Sequence, residues 1–138
     1  MIKQIKEIAS YEQPWKCLAN KLLPYNSALN PVLTANKAFI LGSTDENNLY
    51  TNIPAIIFDD FTTDSKYVDF PFLVRSSAIK IIKTVDNSIP LKYLFYIFET
   101  NMYQPQEHKR QYISNFQNLE INVHSENQKH HIVNIMNT

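Results

Sequence analysis

Apolar positions along the chain fall in short bursts separated by turn residues. The stretches Val32 to Thr34, Ala38 to Leu41, Ala55 to Phe58, Tyr67 to Phe72, Ala78 to Ile82 and Leu119 to Val123 are β-branched or aromatic, and each predicts a short strand. Prolines at Pro14, Pro24, Pro31, Pro54, Pro71, Pro90 and Pro105 punctuate them. The pattern then changes to a helical period. After Asp86-Asn87-Ser88, Pro90 suits a first helical turn, and Leu91, Leu94, Phe95, Phe98 and Met102 share one face, which predicts a core-facing helix. A second helix is predicted from Ser125, because Ser125-Glu126-Asn127-Gln128 has the S-x-x-Q form in which two side chains satisfy end N–H groups. Its stripe is Ile132, Ile135 and Met136. So short a helix is marginal alone in water, so it is expected to pack on the domain or on a partner and to be the start of something longer.

Composition narrows the class. With 138 residues, 44% apolar, and 13 basic against 13 acidic side chains, the chain has the length and balance of one folded domain. Its apolar runs are far shorter than the ~20 residues that span a bilayer, and Met1 to Lys6 lacks the apolar core of a secretion signal, so a cytoplasmic protein is expected. Cys17 is the single cysteine, which rules out an internal disulfide. Gly42 is the single glycine, which excludes the P-loop and the G-x-G-x-x-G fingerprint. Asparagine occurs fifteen times, so Asn and Asp are expected to take over the left-handed turn positions that glycine usually fills.

Several side-chain groups could carry chemistry. Asp59-Asp60-Phe61-Thr62-Thr63-Asp64-Ser65-Lys66 follows an apolar strand, and paired aspartates at a strand end can hold Mg²⁺ for phosphodiester cleavage. The next strand offers no Glu-x-Lys, since Asp69 is followed by Phe70-Pro71-Phe72, and a turn shaped by Asp59, Asp60 and Thr62 accounts for the same residues. The adjacent His130 and His131 point about 100° apart on a helix, so no metal site is predicted. No nucleophile signature is present, and Cys17 reads as a small buried hydrophobe. There remain cations scattered among aromatic and small polar residues: Lys37, Lys66, Arg75, Lys80, Lys83 and the run His108-Lys109-Arg110 with Tyr112. Such groups suit DNA phosphates and base edges, and equally an ordinary solvated face; with no net charge, DNA binding would require a local patch.

Taken together, Pro31-Val32-Leu33-Thr34-Ala35, Phe39-Ile40-Leu41-Gly42, the run Ile53 to Thr63 and Lys66-Tyr67-Val68-Asp69-Phe70-Pro71-Phe72 resemble the target recognition domain of type I restriction-modification specificity (S) subunits. Leu91-Lys92-Tyr93-Leu94, His108 to Ile113, Leu119-Glu120-Ile121 and Gln128 to Val133 follow in the same order. The resemblance implies an α+β fold, with a small twisted, mainly antiparallel sheet and flanking helices. Residues 1–124 would form a DNA target recognition domain and 125–138 the truncated beginning of a spacer and dimerisation helix. It further implies a non-enzymatic module that reads half of a bipartite duplex DNA site and directs methyltransferase (M) and restriction (R) subunits. No cofactor is expected on this chain; S-adenosylmethionine, ATP and Mg would sit on the partner subunits. Lys37, Lys66, Arg75, His108, Lys109 and Arg110 are the expected DNA contacts, and Ile132, Ile135 and Met136 a partner face that could form a weak homodimer. A protein-interaction fragment that binds M or S subunits without reading DNA is the alternative. Two departures stand out: Asn36 where the family places Gly, and Ile121-Asn122-Val123-His124-Ser125 where it runs a rigid proline connector.

Overall fold

The computed structural model describes residues 1–106 and 109–137. In chain order the elements are β1 (Ile2–Gln4), α1 (Ile5–Ile8), β2 (Ala9–Glu12), β3 (Asn30–Leu33), β4 (Ile40–Thr44), β5 (Ala55–Asp59), β6 (Ser65–Val68), β7 (Leu73–Val74), β8 (Ile79–Thr84), α2 (Leu91–Thr100), β9 (Glu120–Asn122) and α3 (Glu126–Met136). Short 3-10 turns cover Trp15–Cys17 and Phe116–Asn118. A four-stranded antiparallel sheet has the order β2-β8-β5-β6, a three-stranded sheet the order β4-β3-β7, and β1 pairs with β9. Pairing is antiparallel except between β3 and β7. The class is α+β, as the sequence predicts.

Strand β5 shows why the layers stack as they do. Its residues Ala55, Ile56, Ile57 and Phe58 are all fully buried, which requires cover on both faces. Side chains alternate along a strand. Ala55 and Ile57 therefore point with Val68, Ile79 and Ile81 toward Leu33, Phe72 and Val74 of the small sheet. Ile56 and Phe58 point with Ile82 toward Ile5, Ile8, Tyr93, Leu94, Ile97, Phe98 and Phe116. Burying each large side chain of this kind stabilises the fold by about 1.5–3 kcal/mol. The sheet is thus the middle of three layers. Helix α2 supplies Tyr93, Leu94, Ile97 and Phe98 to that core, but ends at Thr100, so Met102 is 87% exposed and not part of the stripe expected from spacing. Pro90 stands one residue before the helix, as its cap.

The N-terminal elements β1, α1 and β2 were absent from the strand pattern read above, and Ile5 and Ile8 bury there against α2's side of the sheet. Turn chemistry also differs from expectation. Positive φ falls on Phe39 (56°) and Thr63 (62°), not on asparagine. Asn and Asp work instead through side-chain oxygens that accept an N–H two residues on: Asn26 from Ala28, Asn36 from Ala38, Asn101 from Tyr103 and Asp86 from Ser88. Gly42 has a different task. A Cβ there would lie 2.3 Å from the Leu23 carbonyl oxygen, where Leu23 and Ser43 exchange backbone hydrogen bonds. At the C-terminus, Ser125 accepts from the Gln128 N–H while Gln128 accepts from the Ser125 N–H, the reciprocal cap that S-x-x-Q predicts.

Candidate nucleic-acid interface

One end of the four-stranded sheet collects most of the polar residues singled out above. Strand β5 ends at Asp59, opposite the first residue of β8, and β6 begins at Ser65, opposite Phe58. Strand β2 ends at Glu12, opposite Ile81. The Asp60 to Asp64 turn, the loop Arg75 to Ala78 and the segment after Glu12 therefore emerge together. The Asp60 to Asp64 turn is internally braced. The Asp59 Oδ1 accepts from the N–H groups of Phe61 (2.8 Å) and Thr62 (3.0 Å), and Thr62 Oγ1 donates to Asp64 Oδ2 (3.0 Å). Thr63, in the left-handed region, donates its N–H to the Asp59 carbonyl.

Asp60 does more than shape this turn. It is 1% exposed, and its Oδ1 accepts from the N–H groups of Gln111 (3.0 Å) and Tyr112 (2.7 Å), which ties the turn to a segment fifty residues further on. Its Oδ2 lies 3.0 Å from Lys80 Nζ, also 1% exposed, and 3.6 Å from Arg110 Nη1. Burial works to raise the Asp60 carboxyl, but the Tyr112 N–H, the Lys80 ammonium and the Gln111 N–H outweigh it and hold the group below its ordinary value. The aspartate is therefore a charged, fully engaged anchor. Arg110, half exposed, lies with its guanidinium carbon 5.3 Å from the Phe61 ring centroid and reaches the Ser77 carbonyl with Nη1 at 3.5 Å. A depression of about 490 Å³ next to it is lined by Gln13, Trp15, Ile113 and Ser114, with Asp60 and Lys80 as its floor.

The other predicted contacts divide. Lys37 and Lys66 line one cleft of about 370 Å³ with Thr63, Asp64, Asn101 and Tyr103, on the other flank of the turn. Arg75 is exposed at the same sheet end but donates through Nη1 to the Ala19 carbonyl (3.1 Å), and Lys109 is exposed beside Arg110. His108 lies outside the described residues. Two cations considered in the sequence leave the list: Lys80 is buried against Asp60, and Lys83 donates to the carbonyls of Asn52 and Pro54. Trp15 (61% exposed) and Phe61 (39%) were not read from the sequence as part of this surface. An aromatic residue beside a proline or inside an acidic turn carries no periodicity, so only its exposure marks it. On α3, Ile132 and Val133 pack at the edge of the core, Met136 is half buried and Ile135 is 59% exposed. Cys17 is buried, and burial pushes its thiol up to about 11, so it is unreactive. Among the described residues no three His, Cys, Asp or Glu side chains gather as metal ligands, and no helix is long and apolar enough to cross a membrane.

A buried three-layer scaffold thus presents loops, exposed aromatics and mixed charges at one sheet end. Over 121 residues the chain is 45% identical to the type I restriction enzyme EcoR124I/EcoR124II specificity subunit of Escherichia coli, which covers 83% of this chain and 30% of that subunit. Most of the chain is thus similar to one part of a type I restriction enzyme specificity subunit, and it spans less than a third of the length of that relative. No family model matches it.

Proposed function

We propose that the chain is a target recognition module that binds duplex DNA sequence-specifically and reads one half of a bipartite site. The observation that carries this reading is its 45% identity, over 83% of its length, to a specificity subunit. In this reading residues 1–124 bind DNA and 125–138 begin a spacer helix. The module itself is not an enzyme: methyltransferase and restriction subunits dock elsewhere on the assembly and bring S-adenosylmethionine, ATP and Mg. Physical chemistry favours the loop end as the contact surface. Lys37 and Lys66 flank the Asp60 to Asp64 turn on one side and Lys109 and Arg110 on the other, so a chain with no net charge still offers cations for phosphates and base edges on both sides of the turn.

The test is selection of the purified chain against a randomised duplex library, alone and with the methyltransferase subunit, followed by salt titration on the enriched sequence. An enriched motif bound with an affinity that falls steeply with salt is expected, the slope reporting the phosphates neutralised. No enrichment and no salt-dependent binding in either arm would overturn the reading and leave protein docking as the module's task.

A further inference from the structure

Resting on the DNA-reading proposal, we infer that Arg110 is a base-reading side chain that recognises a guanine, and that Asp60 and Phe61 are the positioning residues that aim it. Among the cations at the loop end, Arg110 is held from three directions. Asp60 lies 3.6 Å from Nη1, the Ser77 carbonyl accepts from the same nitrogen, and the Phe61 ring lies against the guanidinium face. Asp60 is itself immobilised by Lys80 and by two backbone N–H groups, so the anchor cannot swing. Among the described residues the polar contacts of Arg110 use Nη1, with the guanidinium over the Phe61 ring, and none engages the edge carrying Nη2 and Nε. Two parallel N–H donors on a fixed plane match the O6 and N7 acceptors of guanine in the major groove.

The same edge could grip a phosphate, and the surrounding charges decide between them. A phosphate contact needs a positive point charge and tolerates a mobile lysine. Arg110 instead has its charge partly offset by the Asp60 carboxylate 3.6 Å away, which weakens its pull on an approaching phosphate. Base edges are neutral and present both donors and acceptors, so a tip of mixed sign suits them. Lys37 and Lys66, in a cleft that also carries Asp64 and Glu99, and the exposed Lys109 are point charges of the kind that serves phosphates.

The experiment is a double-mutant cycle across the interface. The motif enriched by the wild-type chain is synthesised with 7-deazaguanine, which lacks the N7 acceptor, at each guanine in turn, and binding is measured for wild type, Arg110→Lys and Phe61→Leu. Wild type is expected to lose about tenfold or more at one guanine. Arg110→Lys should show a comparable loss on the natural duplex and no further loss when that guanine is modified, with its salt slope unchanged. Phe61→Leu should show the same coupling at smaller size, and melting curves confirm that both variants fold. If Arg110→Lys binds the natural duplex about as well as wild type and couples to no modified guanine, Arg110 is a phosphate contact and the inference is overturned while DNA recognition stands. If the wild type prefers no sequence, both fall.

Discussion

Asp60→Asn isolates the buried charge that joins the loop end to the core. The substitution keeps an oxygen for the Gln111 and Tyr112 N–H groups but leaves the Lys80 ammonium, 1% exposed, with no counter-charge. Removing one member of a buried pair costs about 3–5 kcal/mol. At about 2 cal/mol/K of unfolding entropy per residue, a chain of 138 residues should then melt roughly 11 to 18 °C lower. Lys80→Met should cost less, because Asp60 retains two N–H donors and Arg110. The double variant should recover most of the loss, since the methionine leaves no charge to satisfy and gives up only the ammonium's place over the Tyr11 ring. Acid reports the same pair. An aspartate whose folded pKa lies below its unfolded value contributes stability that is fully present above about pH 4 and is lost as pH falls through the folded value, and Asp60 is shifted in that direction. Denaturant titration of the four proteins at pH 7 and pH 3 reads all of this. An Asp60→Asn variant within about 1 kcal/mol of wild type at pH 7, or a double variant no more stable than that single one, would refute the argument that charge compensation, and not the backbone hydrogen bonds, holds this junction.

Other substitutions probe separate links. Gly42→Ala should destabilise by about 1–3 kcal/mol in chemical denaturation, because the added methyl meets a strand-bridging carbonyl at 2.3 Å and the backbone must move. Thr63→Gly should stabilise by about 1 kcal/mol, by relieving a β-branched residue at a φ of 62°; a lower melting temperature would contradict this. Lys37→Gln with Lys66→Gln should weaken DNA binding uniformly across sequences and reduce the salt slope by about 2, whereas a change in the enriched motif would make these lysines base readers.

The sequence revealed the elements whose signals are local. A short β-branched and aromatic run between turn residues exposed the β5 core strand, helical spacing exposed α2, and Ser125 with Gln128 marked the start of α3. Helix α2 was overrun to Met102 because spacing alone does not register that Asn101 folds back, its side chain donating to the Phe98 carbonyl and accepting from the Tyr103 N–H. The N-terminal elements were hidden because three-residue and four-residue elements complete no period, although Ile2, Ile5 and Ile8 are evenly spaced. At the candidate site the cations were visible as residue types, but their fates were not. Lys80 and Lys66 look alike in sequence, and only pairing across β5 and β8 places one beneath Asp60 and the other in an open cleft. The link from Asp60 to Tyr112 spans 52 positions, a distance over which no local pattern speaks.

The pairing of β1 with β9 has a consequence for how the chain is made. Met1 bonds to Asn122, 121 positions away, and Ala9 faces Thr84 on β8. During synthesis, at about 5–20 residues per second, the first dozen residues leave the ribosome seconds before either partner strand exists. Ile5 and Ile8 must wait in water over that interval, and these contacts close only after the later strands β8 and β9 are made. Folding should therefore be slow for a domain of this size, with the amino terminus captured at the end, and a nascent chain stopped before β8 should present those isoleucines to any chaperone that reads apolar sequence.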